Sequence, residues 1–562
     1  MARIKLFHMC GFLLAGMLAL QGISGAYPVR AAEGDVSVSA QSFSLLPDVT
    51  EEKTRASYWA ARALTDENKT LADAAAIAKA NADFLTADGT QMHDLKAAPD
   101  TIDGVQRNTL IQTAAQADAA ALNLKPGAAY FADGTTVSEA WVSGLTAACV
   151  NPAAQTVQQI RFAICTTRAD LRVFPTSTLV SDSPSDPDFD LLQSSSVRVN
   201  EPMYIDSVSA DGSYYHVVTS NCIGWIAKDS VAVCADRAEW LTAWDIPADQ
   251  VLVVCTDRIY LEDSNANPEL SGKMLTMGTV LREVPEAERP ETVGNRSSYQ
   301  NYVVYLPVRN TDGSYRREMA LISQHKQVHE GYLRLTTANL LKTAATMLGN
   351  CYGWGGMLSS QDCSGYARDV YKCFGFELPR NSSWQQKIPM MKFDLSGYTD
   401  SQKKKLLAKL PAGTLLFFPG HEMLYLGQAD GHEYVQSAVS SLVKTGDTAV
   451  LRTRSVLINT LDTRRRNGIT WLSALTTAVV PFRTADEKLP TLYKTTIRQA
   501  AGGTISAAKM KAAAGTTVKL SSVVKKGYRL RYYIVNGKII YKASFVMPAG
   551  KAVVTAAFAK TK

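Results

Sequence analysis

Residues 351–386, CYGWGGMLSSQDCSGYARDVYKCFGFELPRNSSWQQ, indicate both a fold and a chemistry. Apolar residues after Cys363 fall three or four positions apart, which predicts a helix with one apolar face: Ala367, Val370, Tyr371 and Phe374. Gly375 suits the end of that helix. Cys363 is then at a helix N-terminus, where free backbone N–H groups and the helix dipole stabilise a thiolate. We therefore expect a lowered thiol pKa and a nucleophilic cysteine, with a buried structural cysteine as the alternative.

A histidine follows in a stretch that predicts a β-hairpin, PAGTLLFFPGHEMLYLG. We expect strands at 414–418 and 422–426 with a turn at Pro419–Gly420, and a third strand at 434–437. His421 lies at the start of the second strand, where an imidazole can take a proton from a thiol and return it. His421–Glu422 does not begin a zinc-protease HExxH motif, because the second histidine position holds Tyr425.

A third polar residue is expected to hold the imidazole in place. Gln436 on the third predicted strand is our candidate, and His432 is the alternative. A nucleophile on a helix, a base on a strand and an orienting residue on the next strand agree with the logic of papain-like cysteine peptidases.

Four motifs in this order resemble the NlpC family of peptidoglycan endopeptidases: YGWGG (352–356), DCSG (362–365), LPRNS (378–382) and GHEMLYLG (420–427). The resemblance covers roughly residues 341–483. It implies a papain-like domain that hydrolyses the γ-D-glutamyl–diamino acid bond, with diaminopimelate or Lys as the diamino acid, in cell-wall stem peptides.

The resemblance also assigns roles by motif. Cys363 is the nucleophile and His421 the base, while Tyr352, Asp362 and Ser364 line the substrate site. The family's third polar residue is often His, and this chain has Gln436 at the matching place. No metal and no organic cofactor are implied.

The 562 residues are too many for one compact domain. Residues 1–31 predict a secretory signal, with Arg3 and Lys5 before an apolar stretch at 10–20 that is too short to span a membrane. A retained anchor is the alternative. We expect a chain secreted across the cytoplasmic membrane, without a transmembrane segment after cleavage, and located in the cell envelope (cell wall or periplasm) or outside the cell.

Eight cysteines remain beyond the predicted signal, and they are too scattered for a disulfide framework. Cys222 and Cys234 could bridge a hairpin, but buried free thiols are an equal alternative. We expect Cys363 to stay reduced.

The remaining regions complete a predicted multidomain α+β protein. Residues 50–160 are Ala-rich with helical spacing, so we predict a helical stabilising region at 32–160. Residues 161–236 and 237–335 show short alternating strands that resemble two bacterial SH3-like β-barrels. In multidomain relatives of this kind the first barrel closes one end of the active site, and a wall tether is the alternative. The peptidase domain is predicted at 336–487.

Residues 488–562 predict a small all-β domain with a hairpin turn at 535–538 and resemble an internalin B-repeat. Residues 491–562 hold 14 Lys and Arg and no Asp or Glu, so the rest of the chain carries −7 of the net +7. This charge favours anionic envelope polymers such as teichoic acids or lipopolysaccharide as partners. Nucleic acid is a poorer candidate for an exported chain, and a basic domain without a ligand is the alternative.

The sequence thus predicts an exported cysteine peptidase of peptidoglycan. An N-acetylmuramoyl-L-alanine amidase would use the same catalytic pair. A non-catalytic cell-wall-binding or adhesion protein is the alternative of another class. One further motif, TRRRNG (463–468), has three consecutive arginines. It indicates a solvent-exposed turn, and a contact for acidic substrate groups is the alternative.

Overall fold

The computed structural model describes residues 45–561, so the predicted secretory signal lies outside the described residues. The first part of the described chain is helical. Side chains of Asp73, Asp103 and Ser138 cap the N-termini of three of its helices by accepting backbone N–H groups. Its elements are α1 (Ala56–Ala60), α2 (Ala74–Thr86), β1 (Thr101–Ile102), α3 (Gly104–Ala121), β2 (Tyr130–Phe131), α4 (Glu139–Ala148) and β3 (Gln158–Gln159).

A curled antiparallel sheet follows, which we call the first barrel. Its elements are β4 (Arg161–Cys165), β5 (Ala169–Arg172), β6 (Val180–Ser181), β7 (Gln193–Val197), β8 (Pro202–Val208), β9 (Tyr214–Val218), β10 (Ile223–Ala227) and β11 (Val231–Val233). Seven of these strands form one sheet in the order β11-β4-β8-β9-β10-β5-β7. Gly212 has a φ of 73° in the turn between β8 and β9, a conformation that glycine adopts without strain.

A second β region begins after α5 (Arg237–Trp244), which Asp236 caps. Its strands are β12 (Val251–Val254), β13 (Arg258–Tyr260), β14 (Met274–Thr276), β15 (Val280–Glu283), β16 (Thr292–Val293), β17 (Arg296–Ser297), β18 (Asn301–Arg309), β19 (Tyr315–Ser323) and β20 (Val328–Glu330). Five of them form a sheet in the order β19-β18-β15-β12-β20, and β13-β14 and β16-β17 form two ribbons.

The region that carries the DCSG motif packs helices against a six-stranded sheet. Its elements are α6 (Thr337–Ala345), α7 (Cys363–Lys372), α8 (Ser382–Gln385), β21 (Met390–Asp394), α9 (Asp400–Leu407), β22 (Leu415–Phe418), β23 (His421–Ala429), β24 (His432–Val443), β25 (Val450–Thr460), α10 (Trp471–Ala474) and β26 (Thr477–Thr484). The strand order is β21-β26-β22-β23-β24-β25. The largest apolar core of the chain lies here, and it includes Trp59 and Phe84 from the N-terminal helical part.

The C-terminal part is all β. Its strands are β27 (Leu492–Ile497), β28 (Gly503–Ala507), β29 (Lys511–Ala513), β30 (Thr517–Val524), β31 (Tyr528–Val535), β32 (Lys538–Ile540), β33 (Ser544–Val546) and β34 (Ala552–Lys560). Asn536 and Gly537 both have positive φ, as the predicted two-residue turn between β31 and β32 requires. This part contacts the N-terminal segment, because Ala513 donates a backbone hydrogen bond of 2.9 Å to Leu64.

The prediction of a multidomain α+β fold is confirmed. The eight cysteines of the described residues are free thiols. Among residues 45–561, no helix has both the length and the apolar character that crossing a membrane requires.

Candidate active site

Cys363 is the first residue of α7. The Asp362 carboxylate caps this helix, with Oδ1 accepting a 2.8 Å hydrogen bond from the Gly365 backbone N–H. Side chains of α7 from Ser364 to Tyr371 are buried, and the helix packs on β23 and β24. The helix and the sheet therefore hold the half-buried Cys363 thiol in a fixed position.

The thiol does not have the lowered pKa that its helix position predicted. Burial raises the pKa of Cys363 to about 12, and the charges of Asp362 and Glu422 add to this. Backbone N–H groups of Glu422 and Ser364 act in the opposite direction. The expectation from the helix N-terminus alone was wrong, because it omitted the loss of water and the two neighbouring carboxyl groups. Cys363 is a neutral thiol at rest.

His421 is the first residue of β23, immediately before the Glu422 N–H that contacts the thiol. Its Nε2 is 3.1 Å from Ser437 Oγ. Aromatic rings flank the imidazole, with centroids 5.0 Å away for Trp471 and 5.3 Å away for Phe418. Burial, and then the charge of Arg465, lower the pKa of His421 to about 3. The imidazole is neutral at rest, as a proton acceptor must be.

Gln436 does not lie against His421. Its Nε2 donates a 2.7 Å hydrogen bond to the Ala344 carbonyl of α6, on the opposite face of the sheet. Side chains alternate between the two faces of a strand, and Gln436 pairs with Leu424 while Ser437 is on the face of His421. The contact predicted for Gln436 is therefore corrected to Ser437, one residue further along β24.

His432, the alternative candidate, is not at the site either. Its Nδ1 pairs with the Asp462 carboxylate at the far end of β24.

Asp362 and Ser364 both accept hydrogen bonds from Arg380, which the sequence analysis did not single out. Arg380 is almost fully buried and donates hydrogen bonds of 2.6 and 3.2 Å to the Asp362 carboxylate and of 3.1 Å to Ser364 Oγ. The Gly355 N–H also donates to Asp362, over 3.0 Å. Burial is the largest single influence and would raise the pKa of Asp362, but the charge and hydrogen bonds of Arg380, the Gly365 N–H and the charge of Arg368 together lower it. The position of Arg380 within LPRNS was the signal that could have found it.

Tyr352 lies close to the thiol. Burial raises the pKa of Tyr352 well above its usual value, and the nearby Cys363 sulfur, which would repel a tyrosinate if it were ionised, is the next cause. The Tyr352 backbone is fixed by a 2.8 Å hydrogen bond from its N–H to the Arg454 carbonyl. Tyr352 and Asp362, two of the residues named by the resemblance, are thus near the Cys363 sulfur, and Ser364 is its neighbour in the chain.

The first barrel forms a wall beside these residues. Ser195 of β7 accepts a 2.8 Å hydrogen bond from Arg380, and Arg168 donates to the carbonyls of Gly356 and Ser360. Phe189 packs on Trp354 with ring centroids 4.4 Å apart. Asp186 and Asp188 form ion pairs with Arg454 of β25. These contacts attach the barrel to the loop that carries Tyr352.

A cavity of about 340 Å³ opens on the His421 side of the site. Tyr352, Phe418 and Trp471 line it together with Arg465 and Arg466, and none of its lining residues is acidic. A cavity of this size accommodates part of a peptide.

Glu422 is a buried carboxylic acid whose two oxygens have no hydrogen-bond partner in the described chain. Burial, and then the charge of Asp362, raise the pKa of Glu422 well above its usual value. Within residues 45–561, no cluster of His, Cys, Asp and Glu side chains could hold a metal ion.

Residues 349–456 match the NlpC/P60 family. This part of the chain is an NlpC/P60 domain. Residues 181–227 match the SH3 domain of the SH3b1 type, and residues 493–562 match the divergent InlB B-repeat domain. These matches confirm the resemblances to the NlpC family, to a bacterial SH3-like domain in the first barrel and to an internalin B-repeat, whereas the second SH3-like barrel at 237–335 stays a prediction. NlpC/P60 proteins are cell-wall peptidases, so the domain has a cysteine peptidase fold, and together with the SH3b domain it implies binding of peptidoglycan and a place in the cell envelope.

One solved structure supports the fold. The chain is similar to an NlpC/P60 endopeptidase from Photobacterium damselae subsp. piscicida, with a TM-score of 0.59, 19% identity, and 75% of this chain and 96% of that chain covered. An NlpC/P60 family protein from Bacillus cereus ATCC 10987 aligns with a TM-score of 0.38 and 15% identity, over 57% of this chain and 99% of that chain. No curated protein matches the chain in sequence.

Proposed function

We propose that the protein is an exported cysteine peptidase that hydrolyses the γ-D-glutamyl–diamino acid bond of peptidoglycan stem peptides. One observation carries this proposal. The thiol of Cys363, on the first residue of α7, is contacted by the backbone N–H that directly follows His421, so a thiol and a neutral imidazole lie at the same end of the NlpC/P60 domain.

Catalysis begins with both groups neutral. His421 removes the proton of the Cys363 thiol as the sulfur attacks the γ-carbonyl carbon of D-Glu. The C–N bond then breaks, and the imidazolium gives its proton to the leaving amine of the diamino acid. A thioester between Cys363 and the γ-carboxyl of D-Glu remains. Water, deprotonated by His421, hydrolyses the thioester, and the free thiol and a carboxylic acid are formed.

Ser437 takes the place that the sequence analysis gave to Gln436. Its hydroxyl engages Nε2, which leaves Nδ1 for the proton exchanged with sulfur and amine. Since the hydroxyl is uncharged, Ser437 fixes the ring without stabilising an imidazolium as a carboxylate would. Ser437 acts as a positioning residue.

The oxyanion of the tetrahedral intermediate needs hydrogen-bond donors in place before the reaction. The Cys363 backbone N–H lies at the first position of α7, where a helix supplies no acceptor. No acceptor for it occurs in the rest of residues 45–561 either. This N–H is our candidate oxyanion donor.

Tyr352, Asp362 and Ser364 are proposed to hold the amino end of the stem peptide. Because Arg380 already neutralises the Asp362 carboxylate, a substrate ammonium meets an ion pair there and not a free anion. We therefore propose that Asp362 and Ser364 shape the subsite, and that the Tyr352 hydroxyl contacts the amino end of the stem peptide directly.

The experiment is mass spectrometry of L-Ala-γ-D-Glu-diaminopimelate and of purified sacculi after incubation with the mature protein. Release of L-Ala-γ-D-Glu by the wild type, and not by Cys363→Ala, supports both the bond and the nucleophile. Release of muramic acid that has lost its whole peptide would instead identify a muramoyl–L-alanine amidase. Binding to sacculi without any released peptide would identify a wall-binding protein.

The C-terminal domain is proposed to bind anionic envelope polymers. Its support is the absence of acidic residues from 491–562 and the exposure of Lys525, Lys526 and Arg529 around the β30–β31 turn. Replacing these three by Ala should weaken binding to a purified teichoic acid, and the difference from wild type should shrink as salt is added. Equal binding of both proteins at low salt would contradict this proposal.

A further inference from the structure

The TRRRNG loop is a fixed part of the site wall. Its start is bonded to the end of β24, with Arg464 N to Val443 O and Val443 N to Arg464 O both 2.9 Å. The loop then closes on itself, because Arg465 N donates to Ile469 O and Gly468 N donates to Arg465 O, each over 2.9 Å. Its arginines are therefore carried on an ordered turn beside His421.

The three consecutive arginines have different surroundings. Arg465 is half-buried, with its guanidinium carbon 4.9 Å from the Phe418 ring centroid and its Nη2 donating to Pro419 O over 3.2 Å. Arg466 is exposed and lines the cavity. Arg464 is exposed too but does not line the cavity. In the part of the chain that the structure describes, no carboxylate lies within ion-pair distance of any of the three.

The direction of the reaction decides which half of the substrate meets these arginines. His421 must protonate the leaving amine, so the diamino acid lies against the imidazole. The cavity is lined by His421 itself and by two guanidinium groups, and it has no acidic lining residue. An unpaired arginine in such a place is suited to a carboxylate, which it binds through two parallel N–H groups.

We propose that Arg466, backed by the charge of Arg465, binds a carboxylate of the leaving diamino acid and selects substrates that carry it. This inference rests on the proposed function. Diaminopimelate has two carboxylates, one on its α-carbon and one at its distal end, whereas Lys has only the first. A distal carboxylate bound by Arg466 makes diaminopimelate peptides better substrates than Lys peptides.

The experiment measures kcat/KM for L-Ala-γ-D-Glu-diaminopimelate, for the same peptide amidated at the distal carboxyl, for the peptide amidated at the α-carboxyl, and for the Lys peptide. Each is tested with wild type, Arg466→Ala, Arg466→Lys and Arg464→Ala. Amidation of the carboxylate that Arg466 binds should lower kcat/KM of the wild type by about 10-fold, which is the effect of losing one charge-assisted hydrogen bond. The same amidation should not change kcat/KM of Arg466→Ala.

Arg464→Ala is the matched control, since it removes an equal charge two residues earlier, outside the cavity, and it should respond to amidation as wild type does. Arg466→Lys should keep part of the response. If kcat/KM of the wild type falls on distal amidation and is equally low for the Lys peptide, Arg466 binds the distal carboxylate. If it falls on α-amidation, Arg466 binds the α-carboxylate. Either result supports the inference. Equal rates for all four peptides, or the same amidation effect in Arg466→Ala, would overturn it.

Failure of this inference is distinguishable from failure of the proposed function. If wild type cuts none of the four peptides at the γ-D-glutamyl bond, the proposed function is refuted, and the inference falls with it. If wild type cuts all of them equally, the function stands and the arginine subsite is refuted.

Discussion

The two sides of the candidate site differ in how their charges are satisfied. On the Cys363 side, which we call the closed side, Asp362 is paired with buried Arg380 and the first barrel covers both. On the His421 side, the open side, Arg465 and Arg466 face a cavity without an acidic side chain. On the closed side the charges of Asp362 and Arg380 pair with each other, so they support the structure of the site. On the open side Arg465 and Arg466 have no carboxylate partner among the described residues, so their charge is available to a ligand.

Removal of the nucleophile should have the largest effect. Cys363→Ala should lower kcat/KM by at least about 10⁴-fold, because no other group can form the thioester. Peptide release by mass spectrometry measures the loss. The melting temperature should stay close to that of wild type, since Ala fits the first position of α7. A residual activity above about 1% of wild type would exclude Cys363 as the nucleophile.

Stability should separate the closed side from the open side. Arg380→Ala leaves Asp362 buried and unpaired and should lower the free energy of unfolding by about 3 kcal/mol, whereas Arg466→Ala should change it by less than about 0.5 kcal/mol. Urea unfolding measures both.

A double variant provides the control for this prediction. Asp362→Asn with Arg380→Met removes both charges and should recover part of the lost stability. Equal stability losses for Arg380→Ala and Arg466→Ala would remove the distinction between the two sides.

The faces of β24 can be compared through two neighbouring residues. Ser437→Ala should lower kcat/KM by about 10-fold, the approximate value of one hydrogen bond that orients the imidazole, with little effect on stability. Gln436→Ala should instead lower stability, because it breaks the bond to Ala344, and leave the pH profile of kcat/KM unchanged. The reverse pattern would restore Gln436 as the orienting residue.

The smallest effect should be that of pH on activity. The reaction needs the neutral imidazole, and because the pKa of His421 is lowered to about 3, this form persists far below the usual range. Between about pH 5 and about pH 8, kcat/KM should vary by less than about two-fold. A fall centred near pH 6.5 would contradict it.

The same lowered pKa links His421 to stability, with the sign fixed by proton binding. Below about pH 6.5 the unfolded chain binds a proton on this residue that the folded chain does not bind until about pH 3. The contribution of His421 to the free energy of unfolding is therefore full above about pH 6.5 and declines as the pH falls from about 6.5 to about 3. Denaturation at several pH values, with His421→Gln as the control, measures this contribution.

The sequence predicted those parts of the site that depend on neighbouring residues. The apolar spacing after Cys363 indicated the helix, and Pro419–Gly420 indicated the turn before His421. The register of β23 with β24 could not be predicted, since a bulge between Tyr425 and Gly427 shifts the pairing and decides that Ser437 shares a face with His421. The raised thiol pKa and the Arg380 pair also depend on distant contacts that a local pattern does not contain.

The N-terminal helical part has a consequence for the order in which the protein can fold. Trp59 lies in the core of the NlpC/P60 domain against Tyr434, and Lys53 donates a 2.8 Å hydrogen bond to the Tyr434 hydroxyl across 381 positions of the chain. This core cannot close until the chain has been synthesised as far as β24, because Tyr434 lies on that strand. Contacts of such long range slow folding. The strand that follows His421 along the sheet is therefore fixed late, when the first and the last parts of this core are both available.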